Sequence, residues 1–342
     1  MSEGIFSNKE IDFSIAVCTY NPDSALLKRL LDALQAILTT TQSIVEILLV
    51  DNNSFPAITT LTIVQDFLSQ TPYARCVVEP QQGLAAARCR AIRETSAPLV
   101  VFFDDDNEPS PDYLQVLNRY FTHYPNVGVW GPGQITVEYV DPVEAWLRQH
   151  AKSFQQRQIG FGYSCLSGTW ELHFPNGTGF AVRRKILEIY VSAIEQGTLK
   201  ATGRASKALT SAEDIQIVWE GIKLGFAAGM IPELRCNHLI TKDKANLSYL
   251  KRLHFGTASS YAPAIRESFP DSIAQLGQPP SMLQVYKRLI KAFIKMLFYP
   301  KKWIDIQLEI ADELGNFYGH AYALGLPYHH KILALAKRLS LT

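Results

Sequence analysis

The segment Leu99-Val-Val-Phe-Phe-Asp-Asp-Asp106 constrains this chain more than any other. A short apolar run, bounded by Pro98, ends abruptly in adjacent carboxylates. Such a run, rich in Val and Phe, reads as a buried strand of an α/β sheet. Neighbouring carboxylates repel one another and do not gather in a core. They are tolerated at an open strand end, where water or a hard cation neutralises them. Strand carboxyl ends are also where ligands bind in open α/β sheets. Alternation along the strand sends Asp104 and Asp106 to one side and Asp105 to the other. That Asp-x-Asp pair can hold a divalent metal on a phosphate. An acidic strand-to-loop turn on the surface is the competing reading.

The rest of the N-terminal half alternates strands with helices. Phe13-Ser-Ile-Ala-Val17 is a strand that stops in the polar turn Cys18-Thr-Tyr-Asn-Pro22. Leu27, Leu30, Leu31, Leu34 and Leu38 then repeat at helical spacing. Ile44–Val50 is a second strand ending in Asp51-Asn-Asn-Ser54, and a helix with Leu61, Val64 and Leu68 follows. Arg75–Val78 is a third strand, and Gln82-Gly-Leu-Ala-Ala-Ala-Arg88 opens an Ala-rich helix. Ser110-Pro111 reads as a helix start, and Val127–Trp130 as another strand. This alternation implies a mostly parallel sheet with helices on both faces. Thr19, Tyr20 and Asn21 after one strand, with Asp51 and Asn53 after the next, form polar turns suited to a base or ribose. A cluster such as Asp51-Asn-Asn-Ser54 is also an ordinary turn. Neither G-x-G-x-x-G after the first strand nor G-x-x-x-x-G-K-[ST] anywhere is present. Bound phosphates would therefore rely on a metal and side chains for charge.

Composition narrows the class. With 342 residues, 47% of them hydrophobic, the chain can build one large domain or two smaller ones. A net charge of +1 gives no bias toward nucleic acid. The 5 cysteines are scattered without any C-x-x-C, which suits a reducing compartment and disfavours zinc. The N-terminus carries no signal-peptide pattern, and no run of about 20 apolar residues suggests a spanning helix. A cytoplasmic protein is the expectation.

The second half is less regular. Trp146, Phe154, Tyr163, Trp170, His173 and Phe174 are expected to be mostly core, with a sugar-stacking wall as the alternative. Pro175-Asn-Gly-Thr-Gly179 reads as a Gly loop entering a new element, and 197–207 as an exposed basic loop. Ser211-Ala-Glu-Asp214 reads as a capping box before an amphipathic helix, a rigid place from which to aim a carboxylate. Phe226–Ile231 is a strand leading through Pro232 to His238. A lone His is usually structural; His238 gains interest because a metal site is already suspected.

Taken together, Val17-Cys-Thr-Tyr-Asn21, Leu49-Val-Asp-Asn-Asn-Ser54, Gly83-Leu-Ala-Ala-Ala-Arg88, Phe103-Asp-Asp-Asp106, Gly177-Thr-Gly-Phe-Ala-Val-Arg-Arg184 and Ala212-Glu-Asp214 resemble family 2 glycosyltransferases of the GT-A fold. The resemblance spans roughly 13–240. Cys89 stands where members commonly have Asn. The Q-x-x-R-W motif of processive synthases is absent, which argues for single-sugar transfer. The resemblance implies an inverting displacement: an acceptor hydroxyl attacks the anomeric carbon and a nucleoside diphosphate leaves. It implies Asp214 as the base, with Glu213 as fallback. It implies Mn²⁺ or Mg²⁺ held by Asp106, His238 and Asp104. Asp104 and Asp105 would contact ribose or donor sugar, and Thr19, Tyr20, Asn21, Asp51 and Asn53 the nucleoside. Arg88 would steady phosphate or orient Asp51. The implied donor is a nucleotide-diphosphate sugar, UDP-linked, and the acceptor a glycan or lipid-linked hydroxyl in cell-surface polysaccharide synthesis. The alternative is a non-catalytic or hydrolytic sugar-nucleotide-binding protein on the same fold.

Other classes fit less well. A haloacid-dehalogenase-like phosphatase places Asp-x-Asp at its first strand, whereas several elements precede it here. A glycoside hydrolase has no use for nucleotide-type turns. A nucleotide-sugar pyrophosphorylase would want a Gly- and Lys-rich loop near its start.

The resemblance divides the chain into a catalytic domain, 1–245, and a mainly helical C-terminal extension, 246–342. Within the extension, 285–299 is a helix with Lys287, Lys291 and Lys295 at every fourth residue, Arg288 beside them and apolar residues opposite. With Lys301, Lys302 and Trp303, the stretch 285–303 has the composition of a helix lying on an anionic membrane surface. Bacterial relatives in the family it resembles often glycosylate lipid-linked acceptors at the inner leaflet, which makes a peripheral enzyme on that face the expectation. A surface helix packed on the catalytic domain is the competing one.

Overall fold

The computed structural model describes residues 10–200, 209, 211–272 and 277–342. Its strands are β1 (Phe13–Thr19), β2 (Val45–Asp51), β3 (Ala74–Val78), β4 (Leu99–Asp104), β5 (Asn107–Pro109), β6 (Val127–Tyr139), β7 (Arg157–Gln158), β8 (Gly162–Ser164), β9 (Ala181–Arg183) and β10 (Ala227–Ile240). Its helices are α1 (Ser24–Thr40), α2 (Thr62–Gln70), α3 (Leu84–Glu94), α4 (Tyr113–His123), α5 (Ala145–Gln149), α6 (Arg184–Glu195), α7 (Glu213–Lys223), α8 (Leu247–Ser268), α9 (Met282–Phe298), α10 (Trp303–Ala323) and α11 (His329–Arg338).

All the strands join one sheet, whose main path runs β3-β2-β1-β4-β9-β6-β10-β5. The β3-β2-β1-β4 half is parallel, as the alternating elements imply. Beyond β4 the sheet is mixed rather than purely parallel: β6 and β10 pair in parallel, but β9 runs antiparallel to both β4 and β6, and β5 antiparallel to β10. The central strands are buried on both faces. Phe13, Ile15 and Val17 of β1, with Val101 and Phe103 of β4, face a layer that includes Leu27, Leu30 and Leu114. Ala16 and Cys18, with Val100 and Phe102, face a second layer that includes Ile186, Val218 and Trp219. This period of two, apolar on both sides, is why the strands read as continuous hydrophobic runs.

Several local expectations change. The strands expected at Val127–Trp130 and Phe226–Ile231 are the starts of two long strands, β6 and β10, which pair in parallel. Their register shifts between Ile231 and Arg235 absorb Pro232 as an irregularity. Helix α4 begins at Tyr113 rather than at Pro111, and Asp112 occupies its N-cap. Of the aromatic residues expected in the core, Phe154 and Phe174 are buried, but Tyr163 and Trp170 are nearly half exposed. The loop expected over 197–207 lies outside the described residues from 201 onward, while Leu199 is buried.

The C-terminal helices form a further core of their own, around Phe255, Val285, Ile306, Ala311, Leu314 and Ile332. Ala264 and Ile265 of α8 reach into the second layer of the sheet core. Helix α10 lies tightly on α8. A Cβ at Gly315 would come within 2.6 Å of the Phe255 carbonyl oxygen, and one at Gly319 within 2.6 Å of that of Ser259. Small residues at i and i+4 let the two backbones touch.

Candidate active site

The carboxyl ends of β1 and β4 open into a cavity of about 1030 Å³, whose far wall comes from α8 and α10. Its size is at the upper end for small-molecule sites, enough for more than one ligand moiety. The parallel register sets Thr19 beside Asp51 and Cys18 beside Asp104. Thr19, Tyr20, Arg88, Asp104, Asp105, Asp106, Glu213, Asp214 and His238 all line the cavity.

Strict alternation does not survive at the acidic end. Pairing with β1 stops at Asp104, and the chain turns over Asp105 and Asp106 before β5. The turn carries Asp105 to the same cavity, where it accepts a hydrogen bond from the Thr19 hydroxyl. Burial and the adjacent Asp106 carboxylate push Asp105 up, to about 7. Asp106 is buried and its charge is matched. Its Oδ1 accepts from Asn107 Nδ2 at 2.9 Å, and its Oδ2 lies 2.7 Å from Lys244 Nζ. The same Oδ2 faces His238 Nε2 at 3.5 Å. Against the cost of burial, Lys244 and His238 hold Asp106 well below the usual carboxylate range.

His238 is oriented from behind. Its Nδ1 lies 2.8 Å from the Phe154 carbonyl oxygen, so Nδ1 carries the proton and Nε2 points toward Asp106. This is the arrangement that prepares a histidine for metal ligation. No group of three His, Cys, Asp or Glu side chains able to hold a metal occurs among the described residues. Asp104 therefore does not complete a three-residue set with Asp106 and His238. Two protein ligands on one open cavity wall still fit a divalent ion that takes its remaining oxygens from phosphate and water. Lys244 had no place in the sequence motifs. The only hint was a lysine in the turn after His238.

The opposite wall is α7. Arg88 is buried, with its guanidinium carbon 5.7 Å from the Phe102 ring centre and 5.2 Å from that of Phe180. Its Nη1 lies 3.2 Å from Glu213 Oε1, so it pairs with Glu213 and does not orient Asp51. Asp214 accepts from the Gly177 N–H at 3.0 Å through Oδ2 and from the Ile215 N–H at 2.8 Å through Oδ1. The expected capping box does not form: Ala212 is the N-cap of α7, without a side-chain cap. The first-turn carboxylates are thus turned to the Gly loop and to Arg88.

Asn21, Asp51 and Asn53 stand outside the cavity lining. Both Asp51 oxygens accept backbone N–H groups, from Ser54 at 2.8 Å and Ile58 at 3.0 Å. Asn21 Oδ1 accepts from the Phe55 N–H at 2.8 Å, and Asn53 is exposed with a positive φ of 66°. These residues shape the loops. Asn52 is the one that lines the cavity. Its amide donates to the Gln81 carbonyl at 2.7 Å and accepts from the Gly83 N–H at 2.7 Å, fixing the entry to α3.

The far wall carries a hydrogen-bonded chain that no motif announced. Ser153 Oγ lies 2.9 Å from His254 Nε2, and His254 Nδ1 lies 3.0 Å from Asp312. Trp170, Tyr249 and Asn316 line the same cavity. Hydroxyl, imidazole, amide and aromatic groups suit a hydroxyl-rich ligand.

The model for Glycosyl transferase family 2 matches residues 14–190, more than half of the chain. No curated protein sequence matches the chain. Among solved structures, the chain is similar to the mannosyltransferase PcManGT from Pyrobaculum calidifontis in complex with GDP-Man and Mn²⁺. The identity is 18%, over 97% of this chain and 76% of that one, with a TM-score of 0.49. It is also similar to S. aureus TarS 1-349 in complex with UDP-GlcNAc, at 14% identity over 93% of each chain and a TM-score of 0.45. GalNAc-T7 with UDP, GalNAc and Mn²⁺ gives 14% identity, 79% of this chain, 52% of that one and a TM-score of 0.47. At such values the structures transfer no residue roles. The span of the family match nevertheless decides the class: the chain belongs to glycosyl transferase family 2 and is a glycosyltransferase of the GT-A type of fold.

Proposed function

We propose that the protein is a metal-dependent, inverting glycosyltransferase that moves one sugar from a nucleotide-diphosphate sugar, UDP-linked, to a hydroxyl of a glycan or lipid-linked acceptor. The observation that carries this reading is the convergence of Asp214 and the Asp106–His238 pair on one cavity. Asp214 is the base. The Gly177 N–H holds its carboxylate in place, and the proton of the acceptor hydroxyl passes to it as the oxygen attacks the anomeric carbon. The bond to the diphosphate oxygen breaks as the new glycosidic bond forms. Glu213, buried against Arg88, holds that cation at the floor of the site and is the weaker candidate for the base. Asp106 and His238 would hold Mn²⁺ or Mg²⁺, which would supply Lewis-acid stabilisation of the leaving diphosphate. Thr19, Tyr20, Asp104 and Asp105 face the donor, while His254, Asp312 and Asn316 face the acceptor from residues 246–342, an acceptor-side unit.

The direct test is nucleotide release from a panel of nucleotide sugars, with Mn²⁺ and with chelator. Metal-dependent release that rises with added acceptor supports transfer. Release of free sugar with no response to any acceptor supports a hydrolytic protein. Full activity in chelator removes the metal from this reading.

The exposed side of α9 supports a peripheral location on an anionic membrane, at the inner face of the cytoplasmic membrane. Ile290, Phe293, Ile294, Leu297 and Phe298 are exposed there, beside Lys287 and Lys291. Among the described residues, no helix is long and apolar enough to cross a membrane.

A further inference from the structure

Lys244 and a divalent ion would claim the same atom. Lys244 Nζ lies 2.7 Å from Asp106 Oδ2, the oxygen that also faces His238 Nε2 at 3.5 Å. An ammonium at hydrogen-bond distance and a divalent ion beside it would repel each other and compete for that oxygen. The backbone around Lys244 is fixed in a short turn between β10 and α8. The Lys244 N–H donates to the Thr241 carbonyl at 3.1 Å, and the Asn246 N–H donates to the Lys244 carbonyl at 2.9 Å. The side chain is freer: 29% of it is exposed, against 6% of Asp106. A compact ammonium on a flexible four-carbon stem can move several ångströms while its Cα stays put. Asp104, Asp105 and Asp106 line the same cavity, so an empty site without a cation would be strongly self-repelling.

We propose that Lys244 is a resident counter-ion of the site. It holds Asp106 while no donor is bound, and it yields that carboxylate to the divalent ion when a nucleoside diphosphate enters. This rests on the metal-dependent reading above. A displaced ammonium in a partly buried cleft needs a new anionic partner. The incoming diphosphate, entering the cavity that Lys244 and Asp106 both line, is that partner. Metal without nucleotide must displace Lys244 with nothing to receive it, so it binds weakly. Nucleotide and metal together bind cooperatively. Lys244 is therefore a positioning residue that acts through Asp106 and makes metal entry conditional on the donor.

Electron paramagnetic resonance of free Mn²⁺, titrated against the full chain, reads this without an activity assay. It is run with and without UDP, and in parallel with GDP. In K244M, Mn²⁺ should bind without nucleotide roughly tenfold or more tighter than in the native protein, a shift in the ordinary range of coupling between sites. The further tightening caused by nucleotide should shrink in proportion. K244R keeps a cation at the carboxylate and should behave like the native protein. If K244M folds poorly, K244Q serves the same purpose, with the melting temperature as the check. Unchanged Mn²⁺ affinity in K244M, with D106N abolishing binding in both backgrounds, overturns the role of Lys244 and leaves the metal reading standing. Native protein that binds no Mn²⁺ with either nucleotide overturns both.

Discussion

Asp214 spends each of its oxygens on a backbone N–H, one on its own helix and one on the Gly loop. An amide keeps one acceptor oxygen and loses the charge. Asp214→Asn should therefore lower kcat by about 10²–10⁴, the usual worth of a general base, while leaving the affinity for the donor nucleotide within a few-fold. A transfer assay beside calorimetry with UDP separates the two effects. Near-native turnover would move the base to another group. Asp106 responds differently. Asp106→Ala strands the Lys244 ammonium in a partly buried site, and removing one partner of such a pair costs up to about 3–5 kcal/mol. Urea unfolding of Asp106→Ala should show a clear loss, and Asp106→Asn a smaller one. The acidic end was legible because a strand cannot hide three charges. Lys244 was not, because nothing in a turn such as Thr241-Lys-Asp-Lys says which lysine folds inward. The choice of Asn53 over Asn52 is the same kind of failure: a turn sends neighbouring residues to opposite sides, and only the fold says which.

Strands and helices were the most legible level, since burial on both faces writes apolar runs and an amphipathic helix writes its own period. What stayed hidden was antiparallel closure. β9 is three residues long, too short to carry a pattern, yet it joins β4 to β6. The links between elements rest on side chains that local patterns do not mark. Glu46 of β2 accepts from the Ser14 hydroxyl at 2.7 Å and from the Ser96 N–H at 2.6 Å, tying β2 to β1 and to the loop before β4. Burial opposes its charge, but these donors outweigh it and hold Glu46 below its ordinary value of 4.5. A lowered folded value means stability that is present above the unfolded value and lost as pH falls through the folded one. Glu46→Gln should cost about 1.5–3 kcal/mol at pH 7, the range for hydrogen bonds to a charged group. That deficit should narrow as pH drops below about 4.5, which denaturant melts across pH will show. A pH-independent deficit would mean a packing effect. The α8–α10 contact gives a second element-level outcome. Gly319→Leu forces a side chain against the Ser259 backbone, an overpacking cost of about 1–3 kcal/mol or more. By shifting α10 it should weaken acceptor use, seen as a raised KM for acceptor with donor affinity unchanged.

At the scale of the whole molecule, the C-terminal extension was the least legible part. His254 and Asp312 meet although 58 residues separate them, and nothing but the packing of α8 on α10 brings them together. The sequence of α9 left membrane contact and packing as rival accounts. The structure buries one side of this helix and leaves the other exposed. Val285 and Leu289 are buried in the C-terminal core, while Leu297 is 81% exposed and Ile290 60%. Arg288 and Lys295 pair with Glu313 and Glu309 of α10. Lys287, Lys291, Lys301 and Lys302 make no ion pair among the described residues, and Trp303 beside them is half exposed. Each such lysine near an anionic surface contributes about 1 kcal/mol, in addition to insertion of the apolar face. The protein should co-sediment with phosphatidylglycerol vesicles at low salt and far less with phosphatidylcholine vesicles. Raising salt should release it, since at physiological ionic strength the Debye length is about 8 Å. Lys287→Gln with Lys291→Gln should weaken sedimentation mainly at low salt. Phe293→Ser with Leu297→Ser should weaken it at every salt concentration, because insertion is not screened. Protein that stays in the supernatant with anionic vesicles at low salt excludes the bilayer as the occupant of this face. A dimer in sedimentation velocity that Leu297→Ser dissolves would assign the face to a second copy of the chain. Neither result bears on the proposal that Asp214 is the base.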